Sequence, residues 1–164
     1  MSRISVSPLA PFIIEELHFS RADIGLFIAA TYLAYLVFGI PGGILVDRFG
    51  VRLSNTVGLA VLAVFTILFT SISMFVEGFV IRFIGGLGGG LLFIATTRAI
   101  IIWFPREERA TMMGFKQSGV PLGGILSGLI LPTLAIMYSW RVGFIVMGIF
   151  GIVISVLYLF FLRE

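Results

Sequence analysis

The sequence predicts an all-α membrane protein, five full membrane-spanning helices preceded by the end of another. Three observations predict it. The 164 residues are 59% hydrophobic and only 12% charged, with a mean hydropathy of +1.16. That is too little polar surface for a soluble domain of this length. Five apolar runs reach the roughly 20 residues needed to cross about 30 Å of hydrocarbon. Twenty glycines and no cysteine suit a membrane bundle, because small residues let helix backbones approach closely.

The five runs are Ile24–Val46, Leu53–Val76, Phe79–Phe104, Met112–Met137 and Val142–Leu162, joined by short polar links. Residues 1–16 read differently. Ser5–Ile14 is apolar but ten residues long, holds Pro8 and Pro11, and is followed by Glu15, Glu16, His18, Arg21 and Asp23. A helix over Met1–Ile14 would reach about 21 Å at 1.5 Å per residue, short of the bilayer. Arg3 ahead of an apolar run is a signal-peptide feature. The run is short, however, acids follow it, and no small-residue cleavage site does. The segment reads as the outer half of a spanning helix whose first half is missing.

Several function classes fall away. Without cysteine there is no disulfide or thiol chemistry, and the redox compartment stays open. The net charge of +3 comes from arginines scattered between apolar runs, which form no nucleic-acid-binding face. His18 is the only histidine, so no metal site assembles by spacing, and no cofactor is expected. Gly85–Gly90 lies inside a spanning run, with no strand before it and no Lys-Ser/Thr pair after it, so it is no phosphate loop. No nucleophile–base pair lies in the membrane segments, and no enzyme is expected.

Arg48, Arg52, Arg106, Arg109 and Arg163 fall on one side of the five runs, Arg21 and Arg141 on the other. The excess of positive charge places the loops at 47–52 and 105–111, with the C-terminus, in the cytoplasm of the plasma (inner) membrane. Trp103 and Trp140 sit at run ends, where amphipathic rings suit the interface.

A charged knot separates the first two runs: Gly42-Gly-Ile-Leu-Val-Asp-Arg-Phe-Gly-Val-Arg52. Asp47 stands at a helix C-terminus, where the dipole disfavours an acid, so it needs a partner. Arg48 and Arg52 are the nearest candidates, and Gly50 would make the turn. Gly39 and Gly43 have the spacing that lets another helix pack closely. That cytoplasmic loops collect arginines explains Arg48 and Arg52, but neither Asp47 nor the glycines.

Gly43, Leu45, Asp47, Arg48, Gly50 and Arg52 spell G-x-L-x-D-R-x-G-x-R. In this pattern the chain resembles the major facilitator superfamily of secondary transporters, whose signature lies between the second and third helices. Arg82-Phe-Ile-Gly-Gly86-Leu-Gly88 is similar to that family's fourth-helix motif. Gly119-Val-Pro121-Leu-Gly123-Gly124 is similar to its fifth-helix glycine–proline motif, but departs from the antiporter form because Val120 separates glycine from proline. Trp140-Arg141 opening the last run is also common there.

The resemblance implies that residues 1–164 are the N-terminal half of a transporter. Two inverted three-helix repeats would supply one wall of an alternating-access pathway. It also implies that the knot latches this half to a second six-helix half on the cytoplasmic side, with Asp47 facing a helix start there. The expected partners are the lipid bilayer, a small solute, a coupling ion, and a second half or a second copy of the chain. Three alternatives are a fragment without transport activity, a half-size protein that must dimerise, and a membrane scaffold.

A charge within the membrane is a functional candidate. Arg82 shares a helical face with Gly86, Gly89, Phe93 and Thr96 and is expected at a cavity. Snorkelling outward to headgroups is the alternative. Arg98, near the other end of that run, is expected to snorkel or to pair with Glu107 or Glu108, with substrate contact as the alternative. Lys116 and Gln117 open two small, polar faces, Lys116–Gly119–Gly123–Ser127 and Gln117–Pro121–Gly124–Gly128. Gly86, Gly88, Gly119, Pro121, Gly123 and Gly124 are expected to pack helices. Tyr32 and Tyr35, mid-run at i, i+3, and Arg3, mid-depth in the incomplete first helix, complete the substrate-binding candidates. No Asp or Glu lies inside the five runs. A buried carboxylate as proton carrier is thus missing from these segments, and the cations favour an anionic substrate, organic or inorganic.

Overall fold

The computed structural model describes residues 6–161. Arg3 and Leu162–Glu164 lie outside the described residues. Five α-helices follow in order: α1 (Val6–Leu17), α2 (Arg21–Leu68), α3 (Phe75–Trp103), α4 (Arg106–Met137) and α5 (Trp140–Phe161). A 3-10 turn, Phe69–Ser71, follows α2. Among the described residues, four helices are long and apolar enough to cross a membrane, counting α2 with its turn as one. Between its end turns a helix satisfies its backbone groups within itself, which a lipid environment demands.

α2 is too long for one crossing. Its 48 residues would extend about 72 Å, over twice the hydrocarbon thickness. It bends at Gly50, where φ is 80° and ψ 170°. That conformation is essentially restricted to glycine, because a Cβ would clash there. The knot is therefore a sharp bend between two helical arms. Asp47 and Arg48 remain helical on its near side.

The other boundaries have local causes. Ser20 caps α2: its Oγ accepts from the Asp23 N–H at 3.1 Å, and Asp23 Oδ2 accepts from the Ser20 N–H at 2.8 Å. The run expected over Leu53–Val76 stops earlier, at Leu68, and Phe75 and Val76 belong to α3. The reason is Glu77, whose carboxylate accepts the N–H groups of Ser73 and Met74 at 3.0 and 3.2 Å and starts a new helix there. α3 ends at Trp103, since Phe104 precedes Pro105 and is pushed to extended φ −118°, ψ 141°. α4 begins at Arg106, ahead of the expected Met112, because Glu107 and Glu108 suit the positive end of a helix. α1 has 12 residues, about 18 Å.

α3 packs chiefly against α2, and α5 lies along α2 as well; α4 is bound more loosely, touching α1, α3 and α5. The α2–α3 contact is backbone on backbone. A Cβ on Gly88 would lie 2.7 Å from the Gly58 carbonyl oxygen, and one on Gly58 2.8 Å from that of Gly88. Where lipid is as apolar as the side chains, such close packing is a main source of helix association. At Gly39 and Gly43, the pair expected to serve this purpose, no other helix among the described residues comes within 4 Å of where their Cβ would stand.

The principal core lies at the end of the bundle where α1 meets α2. Phe27, Phe69 and Phe144 are fully buried among Leu9, Ile13, Ile72, Leu131 and Trp140. Phe27 meets Phe69 edge-on at 5.6 Å, and Phe69 meets Phe144 at 5.3 Å. Such pairs contribute about 0.5–1.5 kcal/mol each beyond area burial. Trp140, expected at the interface, is 2% exposed and belongs to this core. Its indole N–H donates to Glu16 at the end of α1, and Arg141 pairs with the same carboxylate at 2.9 Å. A smaller cluster, Val46, Leu91 and Ala95, holds the opposite end of α2's first arm to α3.

Two substitutions test this packing. Gly88→Ala overpacks the α2–α3 crossing and is expected to lower stability by about 1–3 kcal/mol, whereas Gly128→Ala, with open space around it, is expected to be near neutral. Thermal unfolding in detergent distinguishes them. Gly50→Ala forces a Cβ into a glycine-only conformation and is expected to cost about 1–3 kcal/mol in the same assay.

Candidate functional site

The bend at Gly50 sends the knot's charges to different helices. Asp47 pairs with Arg98 of α3, Nη2 to Oδ1 at 3.3 Å, and both are substantially exposed. The expected partners Arg48 and Arg52 are engaged elsewhere. Arg48 lies over the Phe49 ring at 5.7 Å. Arg52 donates through Nε to the Leu159 carbonyl of α5 at 2.8 Å, and through Nη2 to the same oxygen. Arg98 likewise pairs with Asp47 rather than with Glu107 or Glu108, because the α2–α3 crossing brings Asp47 alongside it. Arg109 folds back onto the end of α3, donating to the carbonyls of Ile101 and Phe104 at 2.7 and 3.1 Å. Helix C-termini carry unsatisfied carbonyls and partial negative charge, so arginines gather there.

Beside the Asp47–Arg98 pair lies a cleft of about 300 Å³ between α2 and α3, lined by Gly43, Val46, Asp47, Phe93, Ile94, Thr97, Arg98 and Ile101. Lys116 reaches its edge from α4. Its Nζ donates to the Phe93 carbonyl at 3.1 Å and to the Thr97 hydroxyl, and lies 3.8 Å from the Phe93 ring centroid. Arg98 and Lys116 therefore converge on side chains of one cleft. Leu45 is half-buried against the small cluster behind it.

Arg82 lies elsewhere. It is 7% exposed, with its guanidinium over the rings of Phe69 at 4.1 Å and Phe144 at 5.2 Å. The space beside it, bordered by Thr31, Thr66, Gly85 and Gly86, is about 10 Å³. That is about the minimum for one water and far too small for a solute. Arg82 thus neither snorkels nor meets an open cavity in this arrangement; it faces the aromatic core.

The remaining candidates divide. Tyr35 packs over Gly89 and Gly90, whereas Tyr32 is 57% exposed. Gly86 lies against Thr31 and Ala34, and Gly88 against Gly58. Gly123 and Ser127 are buried and Gly124 half-buried, but Gln117, Gly119 and Pro121 stand on the exposed side of α4. His18 is exposed in the α1–α2 connection. Arg98 as the partner of Asp47 escaped the sequence reading. The available signal was an acid and an arginine near the carboxyl-terminal ends of two parallel helices, on the same side of the bundle.

A second, larger space of about 450 Å³ lies between the second arm of α2, α4 and α5, with Leu62, Leu126, Ile130, Met147 and Phe150 among its walls. Its polar lining residues, Thr66 and Ser127, turn their hydroxyls back to the carbonyls of Leu62 and Gly124. Both hydroxyl protons are thereby engaged, so these side chains offer a solute no free donor.

Comparison with known proteins bears on these features together. Residues 1–164 match the family described as Major Facilitator Superfamily. A hexuronate transporter of Bacillus subtilis (strain 168) is 34% identical over 164 residues, covering 100% of this chain and 39% of the relative. A probable sulfoacetate transporter of Cupriavidus necator is 30% identical, over 100% of this chain and 38% of its own length. A probable galactarate/D-glucarate transporter of Escherichia coli (strain K12) is 31% identical, over 96% of this chain and 37% of its own length. The chain thus spans less than two fifths of each of these relatives. It is a multi-pass membrane protein, and it belongs to the Major Facilitator Superfamily, a family of transporters and not of enzymes.

Proposed function

We propose that the chain supplies one half of a secondary transporter for a small organic anion, working by alternating access. The observation that carries this reading is Arg98 in the lining of an open cleft, with Lys116 bonded from α4 to two of that cleft's lining residues, Phe93 and Thr97. A guanidinium and an ammonium beside a hydroxyl suit a carboxylate on a hydroxylated carbon chain. The names of the three relatives, which refer to hexuronate, galactarate/D-glucarate and sulfoacetate, support the same ligand class.

The two arms of α2 act as separate spans, so that five full crossings follow α1. The Gly50 bend lies on the cytoplasmic side, in keeping with the arginines gathered there. Tyr32 and Gln117, exposed on α2 and α4, belong to faces that meet the second half or the pathway between the halves. Arg82 anchors the outer end of the wall: a desolvated cation over two rings contributes about 2 kcal/mol or more per favourable contact.

The test is uptake of radiolabelled D-glucarate and a hexuronate by membrane vesicles containing the gene product. Saturable uptake, competed by unlabelled carboxylates and not by a neutral hexitol, is expected. Lys116→Gln is expected to raise the half-saturation concentration roughly tenfold, the effect of losing one hydrogen bond to a charged group. Uptake of neutral sugars or of cations, unaffected by carboxylates, would contradict the reading.

A further inference from the structure

We infer that the larger space, between the second arm of α2, α4 and α5, is a site for one acyl chain of a bilayer phospholipid, entering sideways between α4 and α5. The inference is independent of the proposed solute and of the charged cleft. It requires only that the chain spans a membrane.

The walls set the chemistry. The floor is Leu62 and Ala63 of α2 with Leu92 of α3, all buried or half-buried. The rim is Leu126 and Ile130 of α4 with Val146 and Phe150 of α5, each 48–60% exposed. The hydroxyls of Thr66 and Ser127 donate to carbonyls of their own helices, so an anion or a sugar finds no free donor in them. A space with such walls stays dry, and left unfilled it forfeits the dispersion contacts of its lining. At about 450 Å³ it has the size of an ordinary ligand pocket. A hydrocarbon chain satisfies it; water and polar solutes do not.

The surroundings name the source. The space borders α5 from Val146 to Ile154, six residues from one end of that helix and seven from the other. At 1.5 Å per residue this is about 10 Å from each end, within hydrocarbon depth. α5 is the most hydrophobic of the four long helices, and every exposed residue from Val142 to Phe161 is apolar. The rim continues that surface, so the mouth opens on lipid tails. The small and polar face of α4, with Gln117 and Gly128, is exposed as well. At 3.6 residues per turn it lies on the opposite side of the helix from Leu126. A protein surface suited to small and polar residues therefore meets the far side of α4 and leaves the mouth to lipid.

The arrangement of α4 calls for such a filler. Among the described residues no Cα of α4 comes within 8 Å of one in α2. α4 is held at Lys116 by Phe93 and Thr97 of α3, and at Leu131 and Ala135 by the aromatic core. Between these points it stands off from α2, and the acyl chain supplies packing that neither helix gives the other.

The test places the whole gene product in nanodiscs of phosphatidylcholine carrying a diazirine midway along one acyl chain. Adducts formed on irradiation are mapped by peptide mass spectrometry. Adducts at Leu62, Ala63 and Leu92 are expected beside those at Ile152 and Phe160, which are exposed on α5. Ile130→Trp and Val146→Trp fill the mouth and are expected to remove the floor adducts while those at Ile152 and Phe160 persist. Ile130→Ala is expected to keep both sets, and thermal unfolding confirms that each variant is folded. An unlabelled floor in the unmodified protein, with Ile152 and Phe160 labelled, is the result if protein covers the mouth, and it would overturn the inference. Floor adducts that persist in both folded tryptophan variants would overturn it too. Neither result changes what is expected for uptake of D-glucarate.

Discussion

The backbone crossing of α2 and α3 is the contact on which the rest depends. In a bilayer there is little gain in burying one apolar helix against another, so association must come from close packing and polar contacts. Gly58 and Gly88 provide the first by letting each carbonyl occupy the space a side chain would need. This contact fixes α3 between the two arms of α2. It brings Asp47 beside Arg98 at one end and Arg82 beneath Phe69 and Phe144 at the other. The two arms can take these positions only because α2 reverses at Gly50.

The polar contacts are arranged by depth. At the α1 end, Glu16 accepts from Trp140 and Arg141 and joins the first helix to the last. At the other end, Arg52 and Arg109 satisfy carbonyls near the ends of α5 and α3, as the helix dipole favours. Between them, the space open to solutes is unevenly provided. The 450 Å³ space has walls whose hydroxyls are turned away, whereas the 300 Å³ cleft presents Arg98, Asp47 and Thr97. Charge, more than volume, singles out the cleft.

Much of the fold was legible because apolar length and loop charge are local properties. The long helices follow the apolar runs, and the bend falls at Gly50, within the charged knot. The misplaced boundaries depended on capping: with Glu77, α3 starts four residues before the expected Phe79, and Glu107 and Glu108 extend α4 backwards. Partnerships were less legible. Asp47 looks as if it should pair with the arginines beside it, yet the backbone reversal sends Arg52 to α5 and the helix crossing supplies Arg98. Arg82 shows the same limit, since its rings come from residues 13 positions before it and 62 after it, Phe69 and Phe144. Gly39 is open and Gly88 is packed against Gly58, a difference set by the tertiary arrangement.

The claim most central to this account is that the knot joins α2 to α3 through Asp47 and Arg98. Residues 1–164 contain no cysteine, so this segment adds no thiol besides the paired replacements. The measurement is cross-linking of Asp47→Cys with Arg98→Cys by a short bifunctional thiol reagent in intact membranes. An efficient link within one chain is the predicted result. A link formed instead between Arg98→Cys and a cysteine at Glu107 or Glu108, with none to position 47, would contradict it.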